Sequence, residues 1–92
     1  MTYKVKNIRG TSNNIPQNSE TWLEHWEKYI GRKANGCSSC GCYGFGRAGL
    51  VGAHVQRCDG YDKSWYIVPL CRSCNQRQYE FMVNGPLVPV NE

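Results

Sequence analysis

Cys37-Ser-Ser-Cys40-Gly41 and Cys71-Arg-Ser-Cys74-Asn75 decide the reading of this chain. Two C-x-x-C pairs with 30 residues between them supply four thiolates, the complete donor set of a tetrahedral metal site. Within each turn the two sulfurs converge on one side of a tight backbone loop. Gly41 after the second cysteine admits a left-handed turn that aims N–H groups at the sulfurs. A structural Zn²⁺ held by Cys37, Cys40, Cys71 and Cys74 is the expectation. Disulfides and free thiols are the alternatives, and the absence of a secretory signal points to a reducing, cytoplasmic setting that keeps thiols open. Cys37 with Cys42 is a second possible first half-site. The shorter turn and its glycine favour Cys40, and Cys58 reads as a free thiol.

At 92 residues the chain reads as one domain, in three stretches: 1–35 with a strand, a loop and a helix, 36–82 with the zinc core, and 83–92 as an extended tail. A chain of this length buries only about 60% of its extended surface, so its apolar core alone is marginal. Structural zinc offsets that with binding energy on the order of 10 kcal/mol that exists only in the folded state. No transmembrane stretch is visible, so no membrane partner is expected. The formal charge of +4 falls to about +2 once four thiolates and the ion are counted. Global charge therefore argues little about nucleic acid, and only local clusters of Arg and Lys can carry that claim.

Outward from the cysteines, Leu50–Arg57 and Ser64–Leu70 read as β-strands, joined by a loop with an Asp59-Gly60 turn signal into an antiparallel hairpin. The second knuckle runs into Asn75–Phe81, expected as a short helix. Upstream, Tyr3–Ile8 alternates as an edge strand and is followed by a turn-rich loop. Thr21-Trp-Leu-Glu24 fits a capping box, and Trp22, Leu23, Trp26, Tyr29 and Ile30 recur at helical spacing until Gly31. The two tryptophans are expected to pack on the zinc module, with His25 exposed off that stripe. Pro86 and Pro89 keep the tail out of helix. Knuckle, hairpin, knuckle and helix together predict a small α+β treble clef with an added amino-terminal amphipathic helix.

Cys37-x-x-Cys40, then Gly52-Ala-His54-Val, then Ile67-Val-Pro-Leu-Cys71-x-x-Cys74-Asn75, stand in the order used by the HNH endonucleases, the zinc-stapled ββα-metal nucleases, and residues 37–81 resemble that family. The resemblance implies His54 as general base on a water, with a divalent Mg²⁺ or Mn²⁺ beside it stabilising the scissile phosphate and the leaving oxygen. It also implies Asn75 as the metal ligand at the position after the last zinc cysteine, where the family usually has a histidine. Ala53 and Tyr66 depart from the family pattern, so the catalytic ion would rest on Asn75 with water or a loop carboxylate, Asp59 or Asp62. From the residues themselves, His54 is equally readable as a structural or nucleic-acid-contacting side chain, and Asn75 as a helix cap.

Arg57, Lys63, Arg72 and Arg77, with Arg47, fall in or beside the hairpin and the knuckle, where they could grip phosphates without reading sequence. Tyr61, Trp65 or Tyr66 could stack on an unpaired base. The expected partner is thus nucleic acid, DNA before RNA, which the chain binds and, if the resemblance holds, cleaves as a metal-dependent endonuclease. The rival reading is a catalytically inactive zinc-fold adaptor that binds a protein through the Trp22/Trp26 helix or the glycine loop around Phe45.

Overall fold

Period-two alternation in Leu50–Arg57 (β2) and Trp65–Cys71 (β3) is realised as an antiparallel hairpin, in register from Leu50 opposite Cys71 to Gln56 opposite Trp65. The computed structural model describes residues 2–8, 21–34, 36–40, 49–58, 60 and 64–90. Within them the elements run Thr2–Asn7 (β1), Trp22–Ile30 (α1), β2, β3, Arg72–Asn75 (α2), Phe81–Asn84 (β4) and Val88–Pro89 (β5). The strands make one five-stranded sheet in the order β4-β1-β2-β3-β5, with each neighbouring pair antiparallel. Small α+β organisation with an antiparallel sheet is therefore the observed architecture. No helix among the described residues is long and apolar enough to cross a membrane.

Three expectations change. β1 is not an edge strand but lies between β4 and β2, pairing with both. The helix expected over Asn75–Phe81 is a single turn that starts at Arg72 and ends at Asn75, with the Gln76 N–H closing on the carbonyls of Ser73 and Cys74. Phe81 begins a strand, because Phe81 and Val83 bury against β1 while Met82 and Asn84 face outward, a period of two that no helix satisfies. The tail is likewise part of the sheet: β4 runs across residue 83 and Val88 is fully buried.

Paired residues across an antiparallel ladder share a face and consecutive residues alternate, so the register sorts the side chains. Val5, Asn7, Ala53, Val55, Val68, Leu70, Phe81 and Val83 lie on one face, and all but Asn7 are buried core residues. Gly52, His54, Ile67 and Val88 lie on the other, beneath α1. One residue ties the sheet's distant strands together. The Ser38 N–H donates to the Pro69 carbonyl of β3 at 2.9 Å, and its own carbonyl accepts from the Asn84 N–H of β4 at 2.8 Å. Since β3 and β4 are separated by two strands, the sheet must curl around its apolar face for Ser38 to reach both.

α1 starts as its sequence requires: Thr21 is extended, and its hydroxyl accepts the Glu24 N–H at 3.1 Å. It ends at Gly31, whose φ of 89° is left-handed and whose N–H returns to the Glu27 carbonyl. Leu23 and Trp26 are buried, whereas Tyr29 of the same predicted stripe is 64% exposed. The Trp26 indole N–H donates to the Pro86 carbonyl at 3.1 Å. Helix and sheet approach so closely at Gly52 that a Cβ there would overlap the backbone of Trp22 and Leu23.

Candidate metal centre

Two short connections deliver the cysteines. After Gly31 the chain is held by the buried Glu27 carboxylate, which accepts the Ala34 N–H at 2.9 Å, and the first knuckle is then fixed by Ser38 between β3 and β4. In that knuckle the Ser39 N–H points at the Cys37 Sγ, 3.4 Å away. The second knuckle spans the end of β3 and the turn of α2, placing Cys71 at the helix N-cap and Cys74 inside.

The Sγ atoms of Cys37, Cys40, Cys71 and Cys74 all lie within 4.8 Å of one another, and Cys40 and Cys71 are 3.7 Å apart. A tetrahedral zinc with Zn–S bonds of about 2.3 Å has sulfurs about 3.8 Å apart, so the cluster needs only a small contraction to close on one ion. Cys37 and Cys74 are buried, Cys71 is half-buried and Cys40 is exposed. None of the five described cysteines is in a disulfide, and Cys42 lies outside the described residues. The donor set, four soft thiolates with no oxygen ligand, suits Zn²⁺.

The protonation of these thiols records the crowding. Burial pushes Cys37 up, but the N–H groups of Cys40, Cys71 and Ser39 outweigh it, and the thiol settles at about 7. Cys74 is pushed up to about 12, by burial first and then by the neighbouring Cys71, Cys37 and Cys40. Four thiolates cannot share this space without a cation, and a divalent ion inverts that balance.

His54 and Asn75 lie in different surroundings, one buried and one exposed. His54 is 7% exposed and meets the Trp22 ring edge-on, with centroids 4.8 Å apart, on the face covered by α1. Asn7, on the opposite face beside Val55, reaches the carbonyls of Cys74 and Arg77. In the strand register Cys71, opposite Leu50, falls on the face of His54, whereas Asn7 meets the Cys74 and Arg77 carbonyls from the other face. Burial lowers the His54 pKa, and its Nε2 has no partner among the described residues. Asn75 is exposed at the end of α2. His25, expected in solvent, is 6% exposed, its Nε2 3.1 Å from the Pro89 carbonyl and its ring edge-on to Trp22.

Of the residues expected to contact nucleic acid, Arg57 lies over the Tyr3 ring at 5.0 Å and Arg77 over Phe81 at 5.3 Å. Arg77 also donates to the Ser39 hydroxyl at 3.2 Å. Arg72 is exposed on α2, and Lys63, Asp59, Asp62, Tyr61, Arg47 and Phe45 lie outside the described residues. Asn7, Glu27 and Ser38, which organise the centre, carry no motif; only their long-range contacts reveal them. Comparison with protein-family models, curated proteins and solved structures returns no match to this chain. Fold and site together define a small α+β protein with a four-cysteine cluster able to hold a metal ion such as zinc.

Proposed function

We propose that this chain is a zinc-stapled module of the HNH type that works by binding a protein partner and not by cleaving nucleic acid. The burial of His54 against Trp22 carries this reading. A general base must reach a water beside the scissile phosphate, and its metal ligand must reach the same phosphate. The His54 ring is buried, and its Nε2 has no partner among the described residues. The four thiolates then act as a staple for the fold, and the treble-clef order of knuckle, hairpin and knuckle serves as scaffold. The rings of Tyr29, Trp65 and Tyr79 and the thioether of Met82, exposed by 64, 41, 66 and 49%, offer apolar contact of the kind protein interfaces use.

The test pairs metal analysis with two nucleic-acid assays. One zinc per chain is expected, with no plasmid nicking in Mg²⁺ or Mn²⁺ and no binding to single- or double-stranded DNA or RNA at about 50 mM salt. Metal-dependent nicking that disappears in His54→Ala would overturn the non-catalytic reading. Binding that weakens steeply with salt would make nucleic acid the partner, through counterion release.

A further inference from the structure

Asn7 sits 67 residues before Cys74, yet its side-chain amide closes the second knuckle. The two N–H bonds of Nδ2 go to the Cys74 carbonyl at 3.1 Å and the Arg77 carbonyl at 3.0 Å. The Cys74 carbonyl already accepts the Arg77 N–H at 3.2 Å; Asn7 adds a side-chain donor to it and a second to the Arg77 carbonyl beyond the end of α2. Only the NH₂ side of the amide can serve two carbonyls, which fixes its orientation. The Oδ1 atom is then buried with no hydrogen-bond partner among the described residues. An unpartnered buried acceptor is unfavourable, so packing alone would have selected an apolar side chain here. The double donation is what an apolar side chain cannot supply.

The residue that Asn7 holds continues the connection. Arg77, whose carbonyl Asn7 binds, lays its guanidinium over Phe81 and donates from Nη1 to Ser39, which lies between Cys37 and Cys40. A chain of contacts therefore runs from β1 through Cys74 and Arg77 to Ser39 in the first knuckle, whose N–H meets the Cys37 Sγ, linking both half-sites. Resting on the zinc reading above, we infer that Asn7 is a positioning residue of the metal centre, and that with Arg77 it braces the two knuckles against metal loss. Hydrogen bonds around a metal site act this way in general, by holding ligands in the geometry the ion needs.

Zinc release from the loaded protein into excess metallochromic chelator tests this, with Asn7→Leu and Arg77→Met as variants and Val88→Ala as control. Val88 is fully buried on the opposite face of the sheet, so its truncation lowers global stability without touching the brace. Release is expected to quicken by roughly tenfold or more in Asn7→Leu and in Arg77→Met, and to stay within about threefold of wild type in Val88→Ala. An unchanged rate in both brace variants overturns the inference. So does equal acceleration in Val88→Ala, because the contacts would then contribute only to global stability. Should the variants fail to fold, side-chain amide exchange in the wild type decides: the Asn7 NH₂ protons should be protected with zinc bound, and exchange as fast as that of exposed Asn84 refutes the brace. A wild-type chain that holds no zinc refutes the metal reading itself, a distinct result.

Discussion

Gly52→Ala tests how α1 is seated on the sheet. The added methyl would overlap the main-chain atoms of Trp22 and Leu23, which cannot rotate aside as a side chain could. Overpacking a well-filled site costs about 1–3 kcal/mol, and a backbone obstacle places this case near 3 kcal/mol. The ceiling is set by the helix lifting off, which would return Leu23 and Trp26 to water at roughly 1.5–3 kcal/mol each. At about 4–8 °C per kcal/mol for a domain of this size, melting should fall by about 12–24 °C. Two other glycines calibrate the scale. At Gly60 a Cβ meets nothing within 4 Å, so Gly60→Ala should change stability by less than about 0.5 kcal/mol. Gly31 has open space but a φ of 89°, so Gly31→Ala should cost about 1 kcal/mol through its left-handed backbone. Thermal and urea melts in saturating zinc, followed by tryptophan fluorescence, would rank the three. Gly52→Ala melting within about 0.5 kcal/mol of Gly60→Ala would show that α1 does not rest on β2 at this point. Zinc content should stay at one per chain in all three, since none of these sites touches a sulfur.

Removing zinc with a strong chelator should abolish cooperative melting, because the metal's contribution, on the order of 10 kcal/mol, matches the whole stability of a small domain. Cys74→Ser should do the same, while Cys58→Ser, outside the cluster, should shift melting by less than about 0.5 kcal/mol. Trp26→Phe should cost about 2 kcal/mol by denuding the Pro86 carbonyl and opening space under α1, measured by urea titration. His54 should make the fold acid-sensitive. Its folded pKa is lowered by burial, so as pH falls below the unfolded value of about 6.5 the unfolded chain takes up the proton first and stability drops. Comparing wild type with His54→Leu between pH 7 and pH 5 should show the steeper loss in wild type; parallel curves would mean the ring is hydrated.

The four-cysteine cluster was legible in the sequence because its spacing is a local property: a C-x-x-C turn points two sulfurs the same way wherever it stands, and two such turns need only meet. The hairpin and α1 were legible for the same reason, since Thr21, Gly31 and the alternation of Leu50–Arg57 act over a few residues. Which face of the sheet each element covers is not local. His54 alternates correctly in the sequence, yet α1 comes to lie over its face because Gly52, two residues earlier, lets the helix backbone in. Phe81 ended as a strand because β1 offered it an apolar partner from the far end of the chain, and Asn7 binds the carbonyls of Cys74 in α2 and Arg77 just past it. Pairings at separations of 60 to 80 residues are chosen by burial and hydrogen bonding in three dimensions, which no window of sequence contains. The residues thus determined that four cysteines would meet; the packing of α1 on the sheet decided that His54 would be buried against Trp22.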